Sequence, residues 1–379
     1  MLDKTIRIGF PVPISSHVRK EVEDQIRGAE LAIEEFNQRP EARGLQAELL
    51  IRDTTFSNDL AGKLIIDLID KDGAHFIAGA LSASEMVVGA EICGQRKHPY
   101  CGLSVGDMIV SKALRSPFVF HEGPSTFGIS DAVGRFAFSR LGTRVAVLRA
   151  DHLFPEEVIR AIRPVAQSLG AEIVADEIHV TGETLYEEKL LKIACLRPQV
   201  LLLVNFGFDQ GRALKAYRDL GLHEEFRAIC PIISSQQRMI FGPEVYEGVV
   251  GGAGFYWRME EHFESTRKFN QSYRKRFQMG YPGTYVAYTH SAITAFLEAV
   301  IRAQSLQPER IVDSLMAMHY DFNRGPQFYR HLDHQSVQPI VILESKPAYE
   351  MEHEQDFFSI KQLYHYGGER AFHISFERD

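Results

Sequence analysis

Long apolar runs are missing from this sequence. Stretches such as Val200-Leu201-Leu202-Leu203-Val204 are far too short to cross a bilayer, and no charged-then-apolar leader precedes Ile6. The opening Met1-Leu2-Asp3 reads as a mature start, and because a removed secretion signal leaves no trace, the compartment stays open. A basic surplus is missing too: 42 Lys and Arg against 50 Asp and Glu give a formal net charge of -8. Nothing is left over to neutralise phosphates, which excludes nucleic acid as an expected partner. Cysteine is scarce. Cys93, Cys101, Cys195 and Cys230 form no CxxC pair and no zinc-ligand spacing, so no metal is expected. Their apolar settings read as buried thiols, with Cys93 to Cys101 and Cys195 to Cys230 the pairs an oxidising compartment would permit. The best-marked nucleotide and metal signatures are absent as well: there is no Walker loop, no GxGxxG after a strand, no HExxH and no EF-hand loop.

What is present is a long, ordinary globular composition. With 379 residues, 45% hydrophobic and 24% charged, the chain exceeds what one hydrophobic core usually serves, and two domains are expected. The hydrophobic period alternates between two and 3.6 along the first third. Ile6–Val12 reads as a strand, Val22–Asn37 as an amphipathic helix, and Ala47–Arg52 as a strand. Helix Ala61–Asp70, strand His75–Ala78, helix Ser84–Arg96 and strands Pro99–Leu103 and Phe118–His121 follow. Repeated βα units imply a parallel sheet covered on both faces. A second series runs from strand Arg144–Arg149 through helix Pro155–Leu169, strand Glu172–His179, helix Tyr186–Cys195, strand Val200–Asn205 and helix Gln210–Leu220 to strand Arg227–Cys230. Each series forms its own doubly wound sheet, with the seam near Glu122–Ser130. Helices Glu264–Phe277, Tyr285–Ala303 and Glu309–Met318 come next, then a turn at Asn323–Pro326 and strands Gln327–Arg330 and Gln338–Glu344. The tail from Lys346 to Asp379 is polar and aromatic, with a strand pair expected across Phe358–Tyr366.

Three motifs carry chemistry. Gly251-Gly252-Ala253-Gly254 precedes Phe255-Tyr256-Trp257 and no helix start, so it reads as a turn or strand end. Gly102-Leu103-Ser104-Val105-Gly106 is GxSxG after an apolar strand, the setting of a nucleophile elbow, and makes Ser104 a candidate hydrolase serine. An elbow serine also needs an acid, a histidine such as His290 or His319, and oxyanion donors; no HGGG-type stretch occurs. Gly79-Ala80-Leu81-Ser82-Ala83-Ser84 joins a short strand to a helix, where free amides and hydroxyls attract a carboxylate. Plain N-capping by Ser82 or Ser84 explains the same residues.

The order of these elements, with Ile6-Arg7-Ile8-Gly9-Phe10-Pro11, Arg27-Gly28-Ala29-Glu30-Leu31-Ala32, Arg52-Asp53-Thr54, Gly79-Ala80-Leu81-Ser82, Pro117-Phe118-Val119-Phe120 and Gly325-Pro326, resembles the type I periplasmic solute-binding proteins, especially the branched-chain amino-acid receptors of ABC transporters. The match runs through about Glu344. The resemblance implies two α/β lobes joined by a multi-strand hinge, residues 1–122 plus 258–322 in one and 123–257 plus 323–379 in the other, closing on one small molecule. It implies a periplasmic, non-enzymatic binding component with an inner-membrane ABC permease as partner and no cofactor. A cytoplasmic amide sensor of the same fold is the alternative, and a Ser104 hydrolase the second.

Carried onto this chain, the resemblance puts Leu81, Ser82, Ala83 and Ser84, with Val105 and Gly106, at the first lobe's ligand position. Phe154 and Phe206 come from the second lobe, and Tyr285 heads a first-lobe helix. The family's ligand serine falls on Ala83, its threonine on Gly106 and its aromatic hydroxyl on Phe206, while Ala228–Ile233 lacks the expected glutamate. A buried ammonium without acceptors costs several kcal/mol. A keto acid or aromatic acid is therefore expected over an α-amino acid, unless Asp151 or Asp209 reaches the ligand.

Overall fold

Strand β1 (Thr5–Val12) buries Ile6, Ile8, Phe10 and Val12 on one face and Gly9 and Pro11 on the other. A strand buried on both sides belongs at the centre of a parallel sheet. In the computed structural model, which describes residues 5–364 apart from 17 and 43, β1 runs between its neighbours in a five-stranded sheet. The helix α1 (Arg19–Asn37) follows, then β2 (Gln46–Asp53), α2 (Asn58–Asp70), β3 (Phe76–Ala78), α3 (Ala83–Gln95), β4 (Tyr100–Gly102) and β5 (Val119–His121). The order β2-β1-β3-β4-β5, parallel throughout, is that of a doubly wound sheet with its switch between β1 and β3.

The chain then forms a second unit, from Thr126 to Gly254. It holds α4 (Thr126–Arg140), β6 (Arg144–Ala150), α5 (Leu153–Ser168), β7 (Glu172–His179), α6 (Glu187–Cys195), β8 (Val200–Val204) and α7 (Gly207–Asp219). After these come β9 (Arg227–Ile232), α8 (Ser235–Phe241), α9 (Pro243–Tyr246) and β10 (Val250–Ala253). Phe255–Pro339 returns to the first unit with α10 (Glu264–Phe277), α11 (Thr284–Ala303), α12 (Pro308–Met316) and the short antiparallel strands β11 (His319–Tyr320), β12 (Gln327–Tyr329) and β13 (Ser336–Val337). Finally β14 (Ile340–Ser345) and β15 (Phe358–Tyr364) join the second unit. Its seven strands run β15-β14-β10-β9-β8-β6-β7; β6 to β10 are parallel, and β14 and β15 add antiparallel edges.

Two elements escape a reading by period, for opposite reasons. Helix α4 occupies half of the expected seam. It is buried on nearly every side, from Ile129 and Ser130 to Val133, Ala137 and Phe138, so it has no polar face to betray a 3.6 period. Strand β10 hides behind its glycines. A Cβ on Gly252 would lie 2.7 Å from Ile129 Cγ1 and 2.9 Å from the Pro231 carbonyl, so the strand packs where a side chain has no room. Gly28 plays the same part on α1, where a Cβ would stand 2.4 Å from the Val286 carbonyl of α11. The expected pair of strands across Phe358–Tyr366 is instead the single strand β15 on β14; positions 365 and 366 lie outside the described residues.

The divisions between units fall at Ser125, Phe255 and Pro339, where the lobes were expected to divide at 122, 258 and 322. The difference that matters is residues 323–339, which stay with the first unit. Their reason is Glu122, which has no exposed surface. Its carboxylate accepts from Arg324 at 2.6 Å, Gln327 at 3.0 Å, Tyr320 at 2.9 Å and Tyr329 at 2.6 Å. The equally buried Arg324 also donates to Gln338 and to the Ala287 carbonyl. The four thiols are free: Cys93, Cys101 and Cys230 are buried and Cys195 is exposed, so neither permitted pair is formed.

Removing one partner of a fully buried ion pair strands the other charge. Arg324→Met is expected to destabilise the protein by about 3–5 kcal/mol, read as a lower urea midpoint. A shift within experimental error would show that Glu122 is satisfied without it.

Candidate functional site

The carboxyl ends of parallel strands leave loops whose amides point outward, and ligands of doubly wound folds gather there. In the first unit the loop after β3 ends at Ser82, which caps α3 by accepting from the Glu85 amide at 3.1 Å. Glu85 returns the contact, with Oε2 3.3 Å from the Ser82 hydroxyl. The sequence spacing is that of an S-x-x-E box, but the Glu85 carboxylate meets the Ser82 hydroxyl and not its backbone amide. Ser84, exposed, lies 3.4 Å from the same hydroxyl. Leu81 is buried, whereas Ser82 and Ala83 are half-buried. The N-capping explanation of Ser82 therefore holds in full, and the hydroxyl is shared between helix and surface.

The loop after β4 meets this one through Met86 of α3, whose sulfur accepts from the Ser104 amide at 3.4 Å. A Cβ on Gly106 would stand 3.1 Å from Met86 Cε and 3.8 Å from Ala83 Cβ. The two positions that lack the family's hydroxyls are thus neighbours. Val105 is buried beside them. Tyr285, in the first turn of α11, brings its hydroxyl beside the Ser104 side chain. Burial, with Glu21 nearby, pushes the Tyr285 phenol well above its ordinary range, so it stays neutral. All seven residues expected in the first lobe come together at this one edge.

Ser104 is not arranged as a nucleophile. The imidazole that reaches this residue, His121, sets Nε2 2.6 Å from the serine carbonyl oxygen and not on the hydroxyl. Burial lowers the His121 pKa, and the neutral ring spends its Nε2 proton on that carbonyl. The other candidates lie elsewhere: His290 is paired with Glu35 at 2.9 Å, and His319 packs on Phe328. An activated serine needs a base on its oxygen.

In the second unit Phe154 and Phe206 follow β6 and β8, which are adjacent in the sheet. Phe154 is buried in the first turn of α5, and Phe206 is a half-buried N-cap of α7. Asp209 does not stand free for a ligand. Its Oδ2 accepts from the Gly182 amide at 2.8 Å and its Oδ1 lies 3.8 Å from Arg212. Asp151 is exposed. After β9, where the family's glutamate was sought, Ile233 is buried and α8 carries the buried Arg238, held by Ser345 at 2.8 Å and the Lys346 carbonyl at 3.0 Å.

Sequence reasoning sought an acid only in the second lobe and missed those of the first. Glu21 in α1 and Glu85 in α3 are both buried in first turns at the carboxyl-end edge. The spacing of Ser82 and Glu85 was the readable signal. Among the described residues no group of three His, Cys, Asp or Glu side chains could hold a metal ion, and no helix is long and apolar enough to cross a membrane.

A serine-directed fluorophosphonate is expected to leave the folded protein unlabelled, read by intact-protein mass spectrometry. Labelling lost in Ser104→Ala would restore the nucleophile.

Comparison with known proteins gives a consistent answer. A family profile described as periplasmic binding protein matches residues 5–350. The chain is 20% identical over 334 residues to a leucine-, isoleucine-, valine-, threonine- and alanine-binding protein of Pseudomonas aeruginosa, covering 86% of each. An amino acid ABC transporter substrate-binding protein of Pseudomonas fluorescens superposes with a TM-score of 0.90 at 19% identity, covering 96% of this chain and 97% of that one. A solute-binding protein of an ABC transporter from Rhodopseudomonas palustris, in complex with 3,4-dihydroxy benzoic acid, gives 0.84 at 18% identity, covering 96% and 98%.

Proposed function

We propose that this chain, which belongs to the periplasmic binding protein family, serves an ABC importer and takes a small carboxylate with an apolar or aromatic body, such as a keto acid or an aromatic acid. Its permease in the inner membrane is the partner that the family suggests. The observation that carries the ligand class is the second unit's edge. Asp209 is committed to Gly182, and the segment after β9 presents Ile233 and a buried arginine where an ammonium would need an acid. Leaving an ammonium unmatched in a closed site costs several kcal/mol.

The first unit supplies the anion end. The amides at the head of α3, with the Ser82 and Ser84 hydroxyls, are the anion-binding groups in this reading, beside Ala83 and Gly106. Phe154, Phe206 and Tyr285 are the apolar walls in this reading, with the two units closing on the ligand as binding proteins of this kind do. Support also comes from the Rhodopseudomonas palustris protein, whose ligand is an aromatic acid. No step of chemistry follows binding.

Calorimetric titration of ligand-stripped protein with leucine, its keto acid and benzoate is expected to show binding of the acids and little response to leucine. Phe206→Ala should weaken the acids by about 1–3 kcal/mol, the range for losing an aromatic anchor. Tight leucine binding without response to the acids would overturn the reading.

A further inference from the structure

Glu85 is oddly placed for a receptor of anions. Its side chain is 1% exposed, and it belongs to the first turn of α3, where the dipole and free amides would serve a ligand carboxylate. One oxygen, Oε2, touches the Ser82 hydroxyl at 3.3 Å. The other, Oε1, is buried without a hydrogen-bond partner, as is the hydroxyl of Thr54, which follows β2 and has no exposed surface. A buried carboxylate with an unmet oxygen is costly as an anion and cheaper as an acid.

The groups around it relieve that cost only in part. Asp53, at the end of β2, faces it with a like charge, and Tyr100 of β4 is a fully buried neutral phenol. Ser82 and Thr54 offer only hydroxyls. A ligand carboxylate seated on the amides of Ala83 and Ser84 would add a second like charge beside Ser82.

We propose that Glu85 binds in its protonated form, so that uptake of an anionic ligand is coupled to uptake of one proton at this residue. Resting on the carboxylate reading above, this makes Glu85 a specificity-determining group. Protonated, it leaves the helix dipole free for the ligand and turns Oε1 or Oε2 into a donor; ionised, it occupies the dipole itself and repels the ligand. Burial already raises its pKa in the empty protein, with Asp53 adding to the shift and the two hydroxyls opposing it. A bound anion raises it further. The sign follows: below that pKa the acid form is present and affinity is full; as pH rises through it, affinity falls by up to about tenfold per pH unit, the limit for one coupled proton.

The test is calorimetry with benzoate and with the keto acid of leucine, from about pH 5 to pH 8, in buffers of different ionisation enthalpy, on the wild type and Glu85→Gln. The expected result for the wild type is tighter binding at low pH with about one proton taken up on the alkaline side. The amide, neutral at every pH, should bind tightly throughout with no slope. The proton count in the wild type stands even if the variant fails to fold. Binding of the acids without pH dependence, or a slope retained in Glu85→Gln, overturns the inference alone. Binding that weakens as pH falls also overturns it, because Glu85 would then serve as a carboxylate for a cationic group. No heat from either acid in either protein overturns the carboxylate reading itself, and this inference with it.

Discussion

A carboxylate with no access to water, Glu122, has to be satisfied from within, and the first unit is arranged around doing so. Four side-chain donors converge on it from one stretch of chain: Tyr320, Arg324, Gln327 and Tyr329 come from β11, β12 and the turn between them. Arg324 carries the constraint onward to the Ala287 carbonyl of α11, and so fixes the head of the helix that presents Tyr285 to Ser104. Taking two charges out of water gains little net stability, since desolvation offsets most of the attraction. What such a pair supplies is intolerance of misplacement. Each of the segments that ends at Ser125 and Pro339 is held against it before the chain passes to the second unit.

The site depends on small residues as much as on polar ones. Ala83 and Gly106 are neighbours across two loops that Met86 ties together, so the surface there is backbone and methyl. Backbone amides recognise charge and shape without offering an acceptor. The hydroxyls at this edge have near neighbours: Ser82 caps its helix, and Ser104 lies beside Tyr285. In the proposed reading such an edge discriminates by what it omits, because a donor-rich ligand finds few acceptors waiting for it.

Helices α1, α2, α5 and α10 were legible from their amphipathic 3.6 period, and strands β1, β6 and β8, buried on both faces, as short apolar runs between helices. Helix α4 was not, because burial on all sides erases the period, and β10 was not, because its glycines answer to the atoms of Ile129 and Ile233 far away in sequence. That the small-residue loops after β3 and β4 meet at one edge was legible from their place after parallel strands. Glu21 and Glu85 were not, since an acid in a first turn looks like ordinary capping until its burial is known. The allegiance of residues 323–339 depends on a contact with Glu122 that no local pattern announces.

The separation of 202 positions between Glu122 and Arg324 has a consequence for biosynthesis. At a translation rate of ~5–20 residues per second, the carboxylate leaves the ribosome roughly 10–40 s before the guanidinium that neutralises it. Over that interval the stretch Thr126–Gly254 emerges whole, while the first sheet still lacks α11 and its companions. In this condition neither unit is complete, because the second still awaits β14 and β15. Export before folding would suit such a chain well, because both units wait for the last third of the molecule.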